Sequence, residues 1–149
     1  MKFSELTLEQ WKEWEPYLDT CVLPITGLTG EESPVEAAER LERLRDWLDG
    51  VEIPFHGRMV TYPAYHFVMD KQLEQQDISL INGVCSRLRG RGFAYIVIIS
   101  ADVRITKDML ETADEVFTPM ELPWQELTLV KQEMNKRIQK MWFQSQTVV

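Results

Sequence analysis

The sequence predicts a single α/β domain of three layers, in which helices cover both faces of a sheet of roughly four mostly parallel strands. Segments with strand character alternate along the chain with amphipathic helices, which is typical of parallel sheets. The segment 93–101, "FAYIVIISA", is almost continuously apolar, as expected for a strand buried on both faces. The 149 residues contain no linker, repeat or low-complexity segment, and this predicts one domain over residues 1–149.

The chain opens with a short helix and a first strand. Thr7 and Gln10 have the spacing of a capping box, and Pro16 is expected to end the helix. The first strand, "TCVLPIT", follows over 20–26. Because Pro24 lacks an N–H, this strand should lie at a sheet edge or lose its pairing near that residue.

The second helix has a clear start signal. Ser33 and Glu36 form a capping box, and Pro34 occupies the first helical position. Gly50 is expected to end the helix. Its predicted apolar stripe consists of Val35, Ala38, Leu41, Leu44 and Leu48.

The middle of the chain predicts a second strand and a third helix. The strand is "GRMVTYP", 57–63, and the aromatic segment "YPAYHF", 62–67, is interpreted as packing under a loop. Asp77 is predicted to cap the third helix, which Gly90 and Gly92 end.

The remaining elements follow the apolar third strand at 93–101. Thr106 is predicted to cap a short helix through "KDMLETA", and "EVFTP", 115–119, predicts the fourth strand. Pro123 starts a long final helix. By analogy with flavodoxin-like and Rossmann-like sheets, we predict the strand order 2-1-3-4.

This order places a crevice at the carboxyl ends of the first and third strands, where the winding of the sheet reverses. Ligands of open parallel sheets bind at such a point. The candidate ligand-binding residues at this edge are Thr26, Gly27, Tyr62, His66, Ser100, Asp102 and Thr118.

Ser100 and Asp102 admit three interpretations. They could hold a sugar or ribose hydroxyl, or serve hydrolysis together with His56 or His66. They could also simply cap the connection from strand to helix. Nothing around Ser100 resembles the Gly-x-Ser-x-Gly nucleophile motif, so the cap is favoured and no residue is assigned as catalytic.

Two further motifs favour structural roles. "GLTG", 27–30, follows a strand as phosphate-binding loops do, but it matches no phosphate motif, and Glu31 and Glu32 would repel a phosphate. "RLRGRG", 87–92, places cations at a helix C-terminus, where they complement the helix dipole. Contact with an anion or an acidic partner is the alternative for these arginines.

The last helix carries Trp142 and Phe143 beside its apolar stripe. The pair is expected either to pack on the sheet of its own chain or to form a homodimer contact, because exposed aromatic side chains seek a cover.

Charge and composition limit the classes of function that the sequence allows. The net charge is −8, and residues 1–52 hold thirteen acids against five bases, which argues against nucleic-acid binding. No apolar run approaches the roughly 20 residues of a membrane span, and no signal peptide is recognised, so a cytoplasmic location is expected. Cys21 and Cys85 are expected to be buried thiols. No metal site or cofactor is predicted.

The segments "YLDTCVLPIT", "GRMVTYPAY" and "ADEVFTPMELPW" resemble a family of small uncharacterised proteins from low-GC Gram-positive bacteria, a domain of unknown function. The resemblance covers nearly the whole chain and implies a cytoplasmic protein, but it carries no catalytic residues to transfer.

The function expected from the residues is a non-enzymatic module that binds a protein or associates with itself. The alternative is a small nucleotide- or sugar-handling enzyme that uses the sheet crevice. In that alternative Asp102 binds hydroxyls or acts as a base, Ser100 orients the substrate, and the segment 62–66 stacks on it.

Overall fold

The structure, a computed structural model, describes the backbone of residues 1–147 and the side chains of residues 1–144. The helices are α1 (Leu8–Trp14), α2 (Pro34–Glu52), α3 (Gln75–Arg91) and α4 (Leu127–Thr147). The strands are β1 (Thr20–Leu28), β2 (Met59–Thr61), β3 (Tyr65–Phe67), β4 (Tyr95–Ile99) and β5 (Glu115–Phe117). Short 3-10 turns occupy Phe3–Glu5 and Lys107–Met109.

The sheet has the order β2-β1-β4-β5, and every strand pair is parallel. This confirms the α/β fold class and the order predicted for the four expected strands. The winding reverses between β1 and β4, as predicted.

The sheet also contains β3, a strand that the sequence did not predict. It pairs with β1 at Ile25 and Leu28, beyond the stretch that pairs with β2. Only residues 62–64 join β2 to β3, so the two short strands follow the same side of β1 in succession. Pro24 lies in the gap between them, so pairing on this side of β1 is interrupted there, as predicted. β1 is not an edge strand, however, and its pairing with β4 continues to Pro24.

Two apolar cores lie on opposite faces of the sheet, because successive strand residues point to opposite sides. Residues of the core on the α3 side include Cys21, Leu23, Ile25, Ile81, Cys85, Ile96 and Ile98. Residues of the core on the side of α2 and α4 include Val22, Leu44, Met59, Val97, Ile99, Met134 and Ile138. This arrangement explains why β4 is continuously apolar.

Both predicted capping boxes are present. The Thr7 hydroxyl accepts from the Gln10 N–H, and the Ser33 hydroxyl accepts from the Glu36 N–H, with the reciprocal side-chain bond in each case.

Gly50 does not end α2, contrary to the prediction. The helix continues to Glu52, and Gly50 is buried where α2 contacts α4. A Cβ at this position would lie 2.8 Å from Met134 Sδ and 3.0 Å from Lys131 Cγ. The residue therefore serves close helix packing.

Asp77 does not cap α3, because the helix begins two residues earlier, at Gln75. The buried Asp77 carboxylate instead accepts hydrogen bonds from the Tyr65 hydroxyl and the Met69 N–H, both at 2.9 Å. It thereby ties the first turn of α3 to β3.

Two other predicted boundaries are also wrong. The short helix expected after Thr106 is only the 3-10 turn Lys107–Met109, and the Thr106 side chain makes no capping bond. The final helix begins at Leu127 rather than at Pro123.

Candidate functional site

The carboxyl edge of the sheet is filled at the point where the winding reverses. Gly27, near the end of β1, has a φ of +87°, and a Cβ there would lie 2.6 Å from Val103 Cγ2. The loop that follows β4 therefore packs directly on the backbone of β1. Only glycine fits both the conformation and the space.

Ser100 stabilises the turn that follows β4. It is fully buried, and its Oγ accepts from the Val103 N–H at 3.1 Å and from the Asp102 N–H at 3.4 Å. The polar end of the strand is therefore capped by Ser100 rather than by the carboxylate two residues later.

Asp102 binds helix α2. Its Oδ1 accepts from Nε and Nη2 of Arg43, at 3.2 and 2.8 Å. Oδ2 is buried and has no hydrogen-bond partner among the described residues. Because the Arg43 side chain is 48% exposed, this ion pair is screened by water and contributes little to stability.

Two further candidates bond to other parts of the chain. The Thr26 hydroxyl lies 2.8 Å from Nδ1 of His66, so β1 and β3 are joined through their side chains. The buried Thr118 hydroxyl donates to the Ile105 carbonyl at 2.6 Å. The structure thus brings Thr26 and His66 together, whereas Thr118 bonds to the chain after β4.

The "GLTG" loop binds a carboxylate of its own chain. Glu32 accepts from the Thr29 N–H at 2.9 Å, from the Thr29 hydroxyl at 2.9 Å and from the Gly30 N–H at 3.0 Å. Burial alone would raise the pKa of Glu32, but these hydrogen bonds outweigh it and lower the pKa from 4.5 to about 2. Arg40 completes the arrangement, since its Nη1 donates to Glu32 and to the Gly27 carbonyl.

One arginine at the end of α3, Arg89, is also bound internally. Arg89 donates to the carbonyls of Thr112 and Ala94 and to the Asp114 carboxylate. Gly92, with a φ of +128°, provides the left-handed C-cap. These contacts support the structural role predicted for this motif at Arg89 and Gly92.

The C-terminal aromatic pair is divided between core and solvent. Trp142 is 8% exposed, donates from Nε1 to the Thr20 hydroxyl at 3.0 Å, and meets the Phe55 ring edge-on. The Arg58 guanidinium lies 4.1 Å from the centre of the Trp142 ring and binds Asp19 through two hydrogen bonds. Trp142 therefore packs within its own chain, which is the first of the two expectations, whereas Phe143 is 66% exposed.

An open cleft lies elsewhere, between α2 and the sheet edge formed by β2 and β3. Its volume is about 480 Å³, within the range of ligand pockets. Tyr62 and His66, two of the predicted candidates, line it. The apolar side of the lining includes Leu41, Leu44 and Leu48, and its charged and polar residues include Lys2, Arg45, Asp49, Glu52 and Thr61. We call this feature the α2–β3 cleft.

The α2–β3 cleft contains a buried threonine hydroxyl near the Glu52 carboxylate. Thr61 is 5% exposed, and its Oγ1 has no hydrogen bond of ordinary geometry among the described residues. The nearby Glu52 carboxylate is half-buried. Burial raises the pKa of Glu52, and Lys2 and the Thr61 hydroxyl partly offset this effect.

Sequence reasoning missed this cleft because it treated the apolar stripe of α2 as uniformly buried. Leu44 is buried, but Val35 is 68% and Leu41 42% exposed. Charged residues lie close to Val35, Ala38 and Leu41 in the sequence, and they were a signal that the first half of the stripe is partly exposed.

The comparisons with known proteins place the chain in a family. The model of a family described as a protein of unknown function, DUF2487, matches residues 9–146. The chain belongs to this family. The match confirms the resemblance, and bacterial origin stays a prediction. No curated protein and no solved structure matches the chain.

Membership in DUF2487 therefore assigns no activity to the chain. No described helix combines the length and apolar character needed to cross a membrane. Among the described residues, no group of three or more His, Cys, Asp or Glu side chains is placed to hold a metal ion.

Proposed function

We propose that the chain is a non-enzymatic module that binds another protein. One contrast supports this proposal. The polar groups at the carboxyl edge of the sheet are largely bonded within the chain, whereas the α2–β3 cleft, lined by Leu41, Leu44 and Leu48, is open. A hydrolytic site at Ser100 would need a base within reach of its hydroxyl, but Ser100 Oγ accepts from the Val103 N–H, and His66 Nδ1 lies against the Thr26 hydroxyl instead.

The alternative is a nucleotide- or sugar-handling enzyme that uses Asp102 and Ser100 at the sheet edge. It has less support, because Arg43 already binds Asp102 and Val103 fills the space above Gly27. Self-association through α4 likewise has less support than the sequence suggested. It now rests on Phe143, since Trp142 belongs to the core.

We further propose that the module acts in the cytoplasm and on a partner other than nucleic acid. The free, buried thiols of Cys21 and Cys85 are compatible with a reducing compartment. The net charge of −8 opposes contact with phosphate backbones.

Affinity capture with three baits tests the proposal: the wild type, Leu41→Asp and Phe143→Asp. Both side chains are exposed, so the substitutions should leave the fold intact. We expect a protein from an extract of the source organism to be retained by the wild type and lost from Leu41→Asp. Loss from Phe143→Asp alone, together with a monomer in sedimentation where the wild type is a dimer, would instead favour self-association.

A thermal-shift screen against nucleotides, sugars and common cofactors tests the enzyme alternative. A ligand at about 100 times its dissociation constant adds about 2.7 kcal/mol of stability. We expect no shift. A shift that Asp102→Ala abolishes would contradict the proposal and support a ligand site at the sheet edge.

A further inference from the structure

A smaller groove adjoins the α2–β3 cleft, since Phe3 and Tyr62 line both. Its volume is about 260 Å³, and we call it the α1–β2 groove. Its other lining residues include Leu8 and Trp11 of α1, Val60 of β2 and Arg91 of α3. This volume is below the range of pockets that hold cofactors or drug-sized ligands. The groove therefore has space for one large side chain rather than for a nucleotide or a cofactor.

Aromatic and apolar side chains form most of the α1–β2 groove. The rings of Trp11 and Tyr62 pack on the buried ring of Phe93, at centroid distances of 6.1 and 5.4 Å. Phe3 and Leu8 are 47% and 67% exposed. Apolar side chains that are exposed together are typical of contact sites, and Trp, Tyr and Arg are enriched among the residues that dominate binding energy at protein interfaces.

Arg91 is the one charged side chain that lines the α1–β2 groove in the part of the chain that the structure describes. It is exposed, and it forms no ion pair with another described residue, whereas Arg89 of the same motif is bound to Asp114. Burial raises the pKa of Tyr62, and the charge of Arg91 partly offsets this effect. The guanidinium is therefore within electrostatic reach of the groove.

The acids that are near in sequence do not neutralise this charge. Leu8 and Trp11 lie on one side of α1, and at about 3.6 residues per turn Glu9 and Glu13 lie on the other side. Glu5 lies near the amino group of the chain, where it partly offsets the lowering of that group's pKa by burial. Charges farther away than roughly 8 Å are largely screened at physiological salt. The groove thus presents a positive charge although the net charge is −8.

Resting on the proposed function, we infer that the partner protein also contacts the α1–β2 groove, where it inserts one large apolar side chain that has an acidic residue beside it. The apolar side chain packs against Leu8, Trp11 and Tyr62. The carboxylate forms charge-assisted hydrogen bonds with Arg91. The volume of the groove and its single unneutralised cation together select this occupant.

Selection from a displayed library of random peptides tests this inference. The wild type serves as the target and Arg91→Glu as the counter-target. We expect the enriched peptides to share a large apolar residue beside Asp or Glu. Enrichment of basic peptides, or of apolar peptides without an acid, would overturn the inference.

A charge exchange then tests the contact with Arg91. Fluorescence anisotropy compares an enriched peptide with a version in which Lys replaces its acid. Arg91→Glu should bind the acidic peptide about tenfold more weakly than the wild type does, with a smaller loss at high salt, and it should regain binding with the lysine version. If Arg91→Glu binds both peptides as the wild type does, the inference is wrong.

Arg87→Glu is the matched control for the charge exchange. Arg87 is an exposed arginine one turn earlier on α3, and it does not line the groove. This variant should bind the acidic peptide as the wild type does, apart from a small effect of net charge. Should Arg91→Glu unfold, as judged by circular dichroism, Arg91→Gln takes its place.

A second pair of variants tests the apolar contact. Leu8 and Val35 are 67% and 68% exposed, and each lies in the first turn of its helix, so aspartate at either position should leave the fold intact. Leu8→Asp should bind the enriched peptide about tenfold more weakly. Val35→Asp should bind it as the wild type does, because Val35 lies outside the groove. Equal binding by the two variants would contradict the inference.

The possible failures are distinguishable. If peptides are enriched but bind Arg91→Glu as well as they bind the wild type, the chain binds proteins at another surface, and only the inference about the groove fails. If sedimentation shows a wild-type dimer that Leu8→Asp dissociates, the occupant is a second copy, and the inference again fails. If no peptide is enriched, the inference fails, and the proposed function fails with it when the extract also yields no partner.

Discussion

The carboxylate of Glu32 occupies the position that the amides of Thr29 and Gly30 would otherwise offer to an anion. The sequence indicated that acids near this loop would repel a phosphate. The structure adds a stronger reason, because one of those acids binds the loop itself. A single side chain thus makes a loop of phosphate-binding appearance into a closed structural turn.

The lowered pKa of Glu32 predicts an acid-dependent loss of stability. Because the folded state lowers this pKa from 4.5 to about 2, the stabilising contribution is complete above pH 4.5 and is lost as the pH falls toward about 2. Glu32→Gln should therefore be less stable than the wild type near neutral pH, with a difference that shrinks across this window. Urea melts at several pH values measure this difference in the free energy of unfolding.

Glu31→Gln is the control for this prediction. Its exposed carboxylate accepts none of the hydrogen bonds described for Glu32, so its stability should follow that of the wild type at every pH. A constant difference between Glu32→Gln and the wild type across the acid range would contradict the assignment.

At the scale of the elements, the glycines of helices α2 and α3 serve different purposes. Glycine at a helix end commonly supplies a left-handed cap, and Gly92 does so after α3. Gly50 instead lies inside α2, against Met134 and Lys131 of α4. Its lack of a side chain sets the distance between the two helices.

Alanine substitutions separate these effects. Gly90→Ala, inside α3 with open space around it, should stabilise the fold by roughly 0.5–1 kcal/mol, because alanine favours the helix. Gly50→Ala gains the same propensity but places its Cβ 2.8 Å from the buried Met134 Sδ. Overpacking costs about 1–3 kcal/mol, so the net effect should be destabilising. Denaturant melts would contradict this if both variants were stabilised equally.

At the scale of the whole molecule, the strand order brings the ends of β1 and β4 side by side. Gly27 and Val103, far apart in sequence, meet as a result. The same topology that creates a ligand crevice in many parallel sheets here brings a side chain into that space. An open concave surface lies instead at the lateral edge, where two short strands share one side of β1.

Two glycines near the end of β1 test the importance of this contact. Gly27 and Gly30 both have positive φ, +87° and +97°, but a Cβ would meet a neighbour within 4 Å only at Gly27. Gly30→Ala should cost about 1–2 kcal/mol from backbone strain alone. Gly27→Ala should cost roughly 1–3 kcal/mol more, because Val103 must move. If thermal and denaturant melts gave equal losses of unfolding free energy for the two variants, the contact between Gly27 and Val103 would not be as tight as described.

Local signals were sufficient for much of the fold. The capping boxes at Thr7 and Ser33 involve residues three positions apart, and the buried strand β4 shows its environment in its own composition. The alternation of helices and strands then limited the topology, and the analogy with known sheets supplied the correct order. Such features depend on neighbours along the chain, so a single sequence contains them.

Tertiary contacts account for the rest. β3 has only three residues and forms because β1 continues past Pro24, where the side of β1 that β2 occupies earlier is unpaired. The buried Trp142 donates to Thr20, which is more than a hundred residues away in the sequence. The closed crevice and the open α2–β3 cleft likewise result from which surfaces the folded chain brings into contact. These contacts join residues distant in sequence, and their free energy depends on the path of the chain rather than on any local pattern.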